Sequence, residues 1–257
     1  MFPALFVSHG SPMLVGEDTP AREFLAGLGE SLGQPSAIVV ASAHWETAVP
    51  ELTAASKPET IHDFYGFPEE LYRLRYPAPG NPGVAARAVE LLEKAGIPAG
   101  TDARRGFDHG AWSPLLLMYP RADIPVVELS VQPGQPPAHH IAVGRALAPL
   151  RQDNVLVMGS GGAVHNLRML ERGRPGDPVA WARDFDEWLD RQLSEGRDEA
   201  LAAYRREAPG AVQAHPRDEH LLPVFVAYGA GGPGARGRRI HDSFTYGSLS
   251  MAAFVFQ

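Results

Sequence analysis

Short apolar runs bounded by Gly, Pro and small polar residues alternate along this chain with stretches that repeat apolar positions every three to four residues. The runs 2–7, 37–42, 125–130 and 154–160 predict buried strands, and 247–256 a last one. Helical periodicity marks 19–32, where Phe24, Leu25 and Leu28 share a side. A second helix is expected over 81–95, with Asn81 as its cap, Pro82 in its first turn and Gly96 as its stop. Segments 112–119, 139–150, 178–193 and 220–229 complete the helices, the third being amphipathic and the fourth apolar. Strands alternating with helices predict an α/β fold. The expected architecture is a single domain over residues 1–257, with a mostly parallel central sheet and helices on both faces.

Four histidines stand at the ends of these apolar runs: His9, His44, His165 and His220. Strands of one parallel sheet deliver the residues at their carboxyl ends to a common edge, where sites of open α/β sheets form. Distant histidines can therefore share one ion. Gly10, followed by Ser11 and Pro12, predicts a tight turn that lets the His9 ring face a cavity. His165 comes one glycine-rich turn after its strand, in GSGGAVHNL. That turn lacks the Lys and Ser/Thr of a phosphate-binding loop, so Gly159, Gly161 and Gly162 are expected to let the chain approach a ligand or simply to make a turn. His109, in GFDHGAW, is expected in a loop, either as a group supporting or contacting a substrate or as a surface histidine, with Asp108 beside it. His215 and His220 are five apart, which does not fit the spacing of H-E-x-x-H; a helix is expected to begin near Pro216 with Glu219 and His220 in its first turn. His62, His139, His140 and His241 read as surface or structural residues.

Composition narrows the chemistry. The chain has no cysteine, which excludes disulfides and thiolate ligands, so a metal must be held by His, Asp or Glu. A net charge of -7 gives no electrostatic footprint for nucleic acid, and the basic piece 236–239 reads as a solvated loop. Pro, Gly or charge interrupts every apolar run before membrane-spanning length, and the first ten residues lack the features of a signal peptide. A cytoplasmic enzyme is expected.

The segments FVSHGSPM, VVASAHWE, TIHDFYGFPEELYRLRYPAPG, GFDHGAW, VMGSGGAVHNL, HPRDEHLLPVFVAYGA and YGSLSM span nearly the whole chain. Together they resemble the class III extradiol ring-cleavage dioxygenases, in particular the group related to 4,5-DOPA dioxygenase extradiol. The resemblance implies a mononuclear metal site in which His9, His44 and His220 hold the ion. It implies that His165 is the acid/base, or a fourth ligand when substrate is absent, and that His109 sits over the substrate. It further implies Fe(II) as the working metal, with zinc possible in the protein as isolated, and a catechol and O2 as the reacting partners. The best-known sites of this class use a carboxylate as third ligand, whereas this motif offers His220, with Glu219 beside it. Three neutral imidazoles also suit zinc. Two rivals follow: a zinc hydrolase of an amide or ester with His165 as base, and a metal-stabilised binding module. Tyr65, Phe67, Tyr72 and Tyr76 are expected mostly to pack, with some lining a pocket.

Overall fold

Ten strands account for the β structure of the described residues: β1 (Ala4–Ser8), β2 (Ala37–Glu46), β3 (Glu51–Thr53), β4 (Gly100–Asp102), β5 (Val126–Val131), β6 (Val155–Gly161), β7 (Gly237–His241), β8 (Phe244–Thr245), β9 (Leu249–Ser250) and β10 (Ala253–Phe256). The protein is seen in a computed structural model that describes residues 1–171 and 178–257. Eight strands form one sheet in the order β4-β3-β5-β2-β6-β1-β10-β7, and β8 and β9 make a separate hairpin. The centre, β5-β2-β6-β1, is parallel throughout. β10 and β7 add antiparallel to one side, and β3 runs antiparallel to β5 on the other. This agrees with the expected mostly parallel α/β architecture.

The helices are α1 (Pro20–Leu32), α2 (Glu69–Arg73), α3 (Pro82–Lys94), α4 (His109–Met118), α5 (Pro137–Leu147), α6 (Ala180–Glu195), α7 (Asp198–Ala202), α8 (Tyr204–Glu207), α9 (Ala211–Ala214) and α10 (Leu222–Ala230). The sheet divides the core into two layers because successive strand residues face opposite sides. Phe6, Val39 and Val157 join α3, α5, α6 and α10 on one face. Leu5, Val7, Ile38, Val40 and Leu156 join α1 and α4 on the other. Burial on both faces is why these strands read as continuous apolar runs.

Local chemistry sets the helix ends. Thr19 caps α1 by accepting from the Arg22 N–H, and Asn81 Oδ1 accepts from the Val84 N–H at 3.0 Å to cap α3. Several expected boundaries move. α4 begins at His109, not near Ser113, because the Asp108 carboxylate accepts the Ala111 N–H and caps it. His109 thus opens a helix instead of lying in a loop. β2 continues through His44 to Glu46, past an irregularity in its pairing with β5. α10 begins at Leu222, so His220 lies in the turn before it and not in its first helical turn. The basic piece 236–239 is mostly edge strand β7, with Arg239 against Asp186 at 2.6 Å.

Candidate active site

The carboxyl ends of β1, β2 and β6 meet at one edge of the sheet, and the five histidines singled out by the sequence converge there. His9 directly follows β1, and Gly10 turns the chain with φ of 60°. The His9 and His44 rings lie 4.9 Å apart, His44 and His220 4.9 Å, and His9 and His220 5.5 Å between centroids. One ligand nitrogen from each of these three falls within 4.8 Å of the others. His109 packs on His44 with centroids 3.9 Å apart. His165 stacks on His220 at 3.5 Å with ring planes 4° apart.

Hydrogen bonds set which nitrogen of each ring is available. The Ser160 hydroxyl donates to the Gly110 carbonyl at 2.5 Å, so its oxygen is left to accept from His9 Nδ1 at 3.0 Å. Asp63 Oδ2 accepts from His109 Nδ1 at 2.9 Å and lies 3.3 Å from His44 Nδ1. Glu219 Oε1 lies 3.1 Å from His220 Nδ1. His9 Nδ1 bonds to Ser160 and His220 Nδ1 to Glu219, and His44 Nδ1 faces Asp63, so the Nε2 atoms are the nitrogens left toward the centre. His9 Nε2 and His44 Nε2 face each other across 3.0 Å. With their Nδ1 atoms turned outward, these three imidazoles bring their remaining nitrogens together, and the donor set fits a metal ion with imidazole ligands.

The electrostatics agree. Burial, then the neighbouring His44, holds His9 well below the ordinary imidazole range. Burial and His109 bring His44 to about 4. Burial, then His165, pushes His220 well down, and burial, then His215, lowers His165 to about 3. Each is neutral at pH 7, the form that binds a metal. Burial alone would raise the Asp63 carboxyl, but hydrogen bonds from His109 bring it down to about 2, so it remains an anion.

Asp63 and Ser160 escaped the sequence reading, although both lie in segments that it quoted. Asp63 sits in a loop without periodicity, and nothing local shows that it reaches two histidines. Glu219 is placed as a partner of His220 Nδ1, with Arg217 beside its carboxylate. His165 shares no ligand cluster with His9 and His44; its cluster contains Glu219 and His220. The glycine-rich segment also has another cause than ligand approach: a Cβ on Gly161 would stand 2.1 Å from the His220 carbonyl oxygen. These glycines let the His220 segment pack on the sheet. His140 and His215 are fully buried and structural, as expected of a residue that accepts from the Gln132 N–H and of one that donates to the Ala163 carbonyl.

A cavity of about 840 Å³ opens onto His44, His109, His165 and His220. Phe64, Phe67, Pro12, Leu167 and Leu249 give it apolar walls. Its size suits a substituted aromatic ring. Tyr65 and Phe67 belong to its lining, whereas Tyr76 is buried elsewhere and donates to the Tyr119 carbonyl.

Residues 3–257 match the family model described as the catalytic LigB subunit of aromatic ring-opening dioxygenase. The chain is 44% identical to 4,5-DOPA dioxygenase extradiol of Beta vulgaris, covering 98% of this chain and 95% of that protein. It is 45% identical to the protein of the same name from Escherichia coli K12, covering 89% of this chain and 84% of that one. An uncharacterised E. coli K12 protein of known crystal structure superposes with a TM-score of 0.82 at 38% identity, covering 99% of both chains.

Proposed function

The chain belongs to the LigB family of aromatic ring-opening dioxygenases, and from that membership we propose that His9, His44 and His220 hold one Fe(II) ion and that His165 is the acid/base. The protein is a metal-dependent extradiol dioxygenase that opens the ring of a DOPA-like catechol with O2. The observation that carries the proposed site is the approach of His9 Nε2 to His44 Nε2 at 3.0 Å, with a nitrogen of His220 completing a triangle within 4.8 Å. Family membership favours oxygen chemistry over the hydrolase and over the binding module.

An ion in this triangle would hold the catechol oxygens and O2 side by side and let electron density pass between them. The protein's own groups do the rest. The apolar walls of Phe64, Phe67, Leu167 and Leu249 offer contact to a bound ring. His165 is neutral and stacked beside a candidate ligand, so it is placed to take a proton from a catechol hydroxyl. Burial disfavours the resulting imidazolium, and the catecholate formed in the same step supplies the opposing charge. His109, held by Asp63 through both its backbone N–H and Nδ1, presents its remaining edge to the cavity. As Asp63 and Glu219 bond to Nδ1 atoms, carboxylate charge reaches the ion through imidazole, with no carboxylate ligand required. The proposal includes a single catalytic domain over residues 1–257, which the family match over 3–257 supports. It also includes a cytoplasmic location, where a cysteine-free chain has no need of an oxidising compartment. Among the described residues no helix is long and apolar enough to cross a membrane.

The test is oxygen uptake by apoprotein reloaded anaerobically with Fe(II) and then given DOPA in air, beside a zinc-loaded control. Uptake with iron alone is expected, and His165→Gln should abolish turnover while metal content stays near that of the parent. Equal loss of metal and turnover in His165→Gln would make it a ligand and refute the acid/base role.

A further inference from the structure

We propose that Glu17 is a specificity-determining residue that receives the ammonium group of a catechol carrying an amine side chain; this rests on the ring-cleavage reading of the same cavity. Among the described lining residues Glu17 is the one carboxylate, and no Lys or Arg lines the wall with it. Its described lining otherwise consists of apolar side chains, glycine, four histidines, Ser11, Tyr65 and Tyr246. A carboxylate that faces an apolar cavity without a cationic partner among the described residues leaves acceptor capacity for a cation brought by the ligand.

The residue is also held in place. Tyr246 donates its hydroxyl to Glu17 Oε1 at 2.6 Å, a contact between positions 229 apart in sequence. Tyr246 lies in the turn between β8 and β9 with φ of 52°, a left-handed conformation that is costly for a residue with a Cβ. The Glu171 N–H donates to the Tyr246 carbonyl at 2.9 Å and helps to fix that turn. One carboxylate oxygen is thus engaged by a neutral donor, which orients the group without cancelling its charge. Glu17 follows the short helical turn Pro12–Val15, which begins just after His9 and Gly10. The chain that carries a candidate metal ligand therefore also carries the ammonium acceptor, and a ring bound at the histidines has its substituent read by the same segment.

Glu17→Gln separates charge from shape, because the amide can still accept from Tyr246. Fe(II)-loaded parent and variant are compared on dopamine, 4-ethylcatechol and 3,4-dihydroxyphenylacetate by oxygen uptake. Dopamine binding to zinc-loaded protein is measured by calorimetry as a readout without turnover. The expected result is an about tenfold fall in the kcat/KM ratio of dopamine over ethylcatechol, carried by KM, the size of one charge-assisted hydrogen bond at a half-buried site. The dihydroxyphenylacetate ratio should rise, and dopamine affinity should fall by a similar factor in the zinc form. Tyr246→Phe, which keeps the charge and loses its orientation, should show a smaller change in the same direction. Equal changes on all three catechols, or unchanged dopamine affinity in Glu17→Gln, would overturn the proposal. An inactive parent on all three would instead count against ring cleavage, and the calorimetry would still decide the role of Glu17.

Discussion

Replacing Gly161 with Ala tests how the sheet positions a candidate ligand 59 residues further along the chain. The added Cβ would stand 2.1 Å from the His220 oxygen and 3.2 Å from both the His220 carbonyl carbon and Pro223 Cγ. Non-bonded heavy atoms rest near 3.5 Å, so the two segments must part by roughly 1 Å. β6 cannot retreat, because it is paired with β1 on one side and β2 on the other. The turn carrying His220 must yield. It then loses the hydrogen bond from the Gly162 N–H to the His220 carbonyl, now 2.8 Å. A lost backbone hydrogen bond costs about 1 kcal/mol and overpacking about 1–3 kcal/mol, together roughly 2–4 kcal/mol. For a chain of this size that lowers the apoprotein Tm by roughly 5–15 °C. A ligand displaced by about 1 Å should weaken metal affinity about 10–100-fold, the range found when groups that orient metal ligands are removed. Scanning calorimetry of the apoprotein and equilibrium dialysis with Zn(II) and Fe(II) read the two effects separately. Gly27→Ala is the control: its Cβ meets nothing within 4 Å in the middle of α1, so it should stabilise by about 0.5–1 kcal/mol. A Gly161→Ala protein with parental Tm and parental metal affinity would refute the steric coupling.

Three further outcomes are expected. Asp63→Asn can serve only one of the two Nδ1 groups that the carboxylate now faces, so metal affinity should drop about 10–100-fold with the fold intact by circular dichroism; parental affinity would remove Asp63 from the ligand-orienting network. Chelation should lower Tm, since an ion at 100 times its Kd adds about 2.7 kcal/mol to stability; a Tm indifferent to EDTA and to metal would count against the site. In apoprotein, His140 favours the neutral form because burial, then His139, lowers it to about 3, below the ordinary value of 6.5. Its contribution is complete above pH 6.5 and is lost as pH falls toward 3, up to roughly 4 kcal/mol. Urea titrations between pH 7 and 4 should therefore show a shallower loss in His140→Gln than in the parent, and identical slopes would contradict the assignment.

The strands and the candidate-site histidines were legible because the sheet is buried on both faces. Such strands advertise themselves as apolar runs, and their ends are where a parallel sheet places its chemistry. β3, β4 and α2 were missed for the opposite reason: they are three to five residues long and carry no period. His220 was assigned to the first turn of a helix, because the apolar pattern of α10 runs on past the point where its hydrogen bonds begin. His109 was read as a loop residue because the cap that starts α4 is Asp108, itself fixed by the Ser42 hydroxyl at 2.6 Å and Arg105 at 2.7 Å. The Ser42 contact is tertiary, whereas Arg105 lies only three residues away and Asp108 is a local N-cap signal that was passed over.

The third-ligand question shows the same limit at the level of chemistry. From the motif, His220 and Glu219 were rivals, since either neighbour could point at an ion. The bond between them is the ground on which His220 is proposed. His220 has one nitrogen committed to Glu219 and one left over, while Glu219 is engaged by His220 and flanked by Arg217. Glu219 Oε1 orients the imidazole beside it, while Oε2 makes no hydrogen bond among the described residues. Repeating the pattern at His44 with Asp63, and with the neutral Ser160 at His9, places two negative charges one bond outside a neutral ligand triangle. A divalent ion there would be nearly balanced at a distance while its immediate surroundings stay uncharged. That would leave the remaining positive field for the catecholate formed when His165 takes the hydroxyl proton.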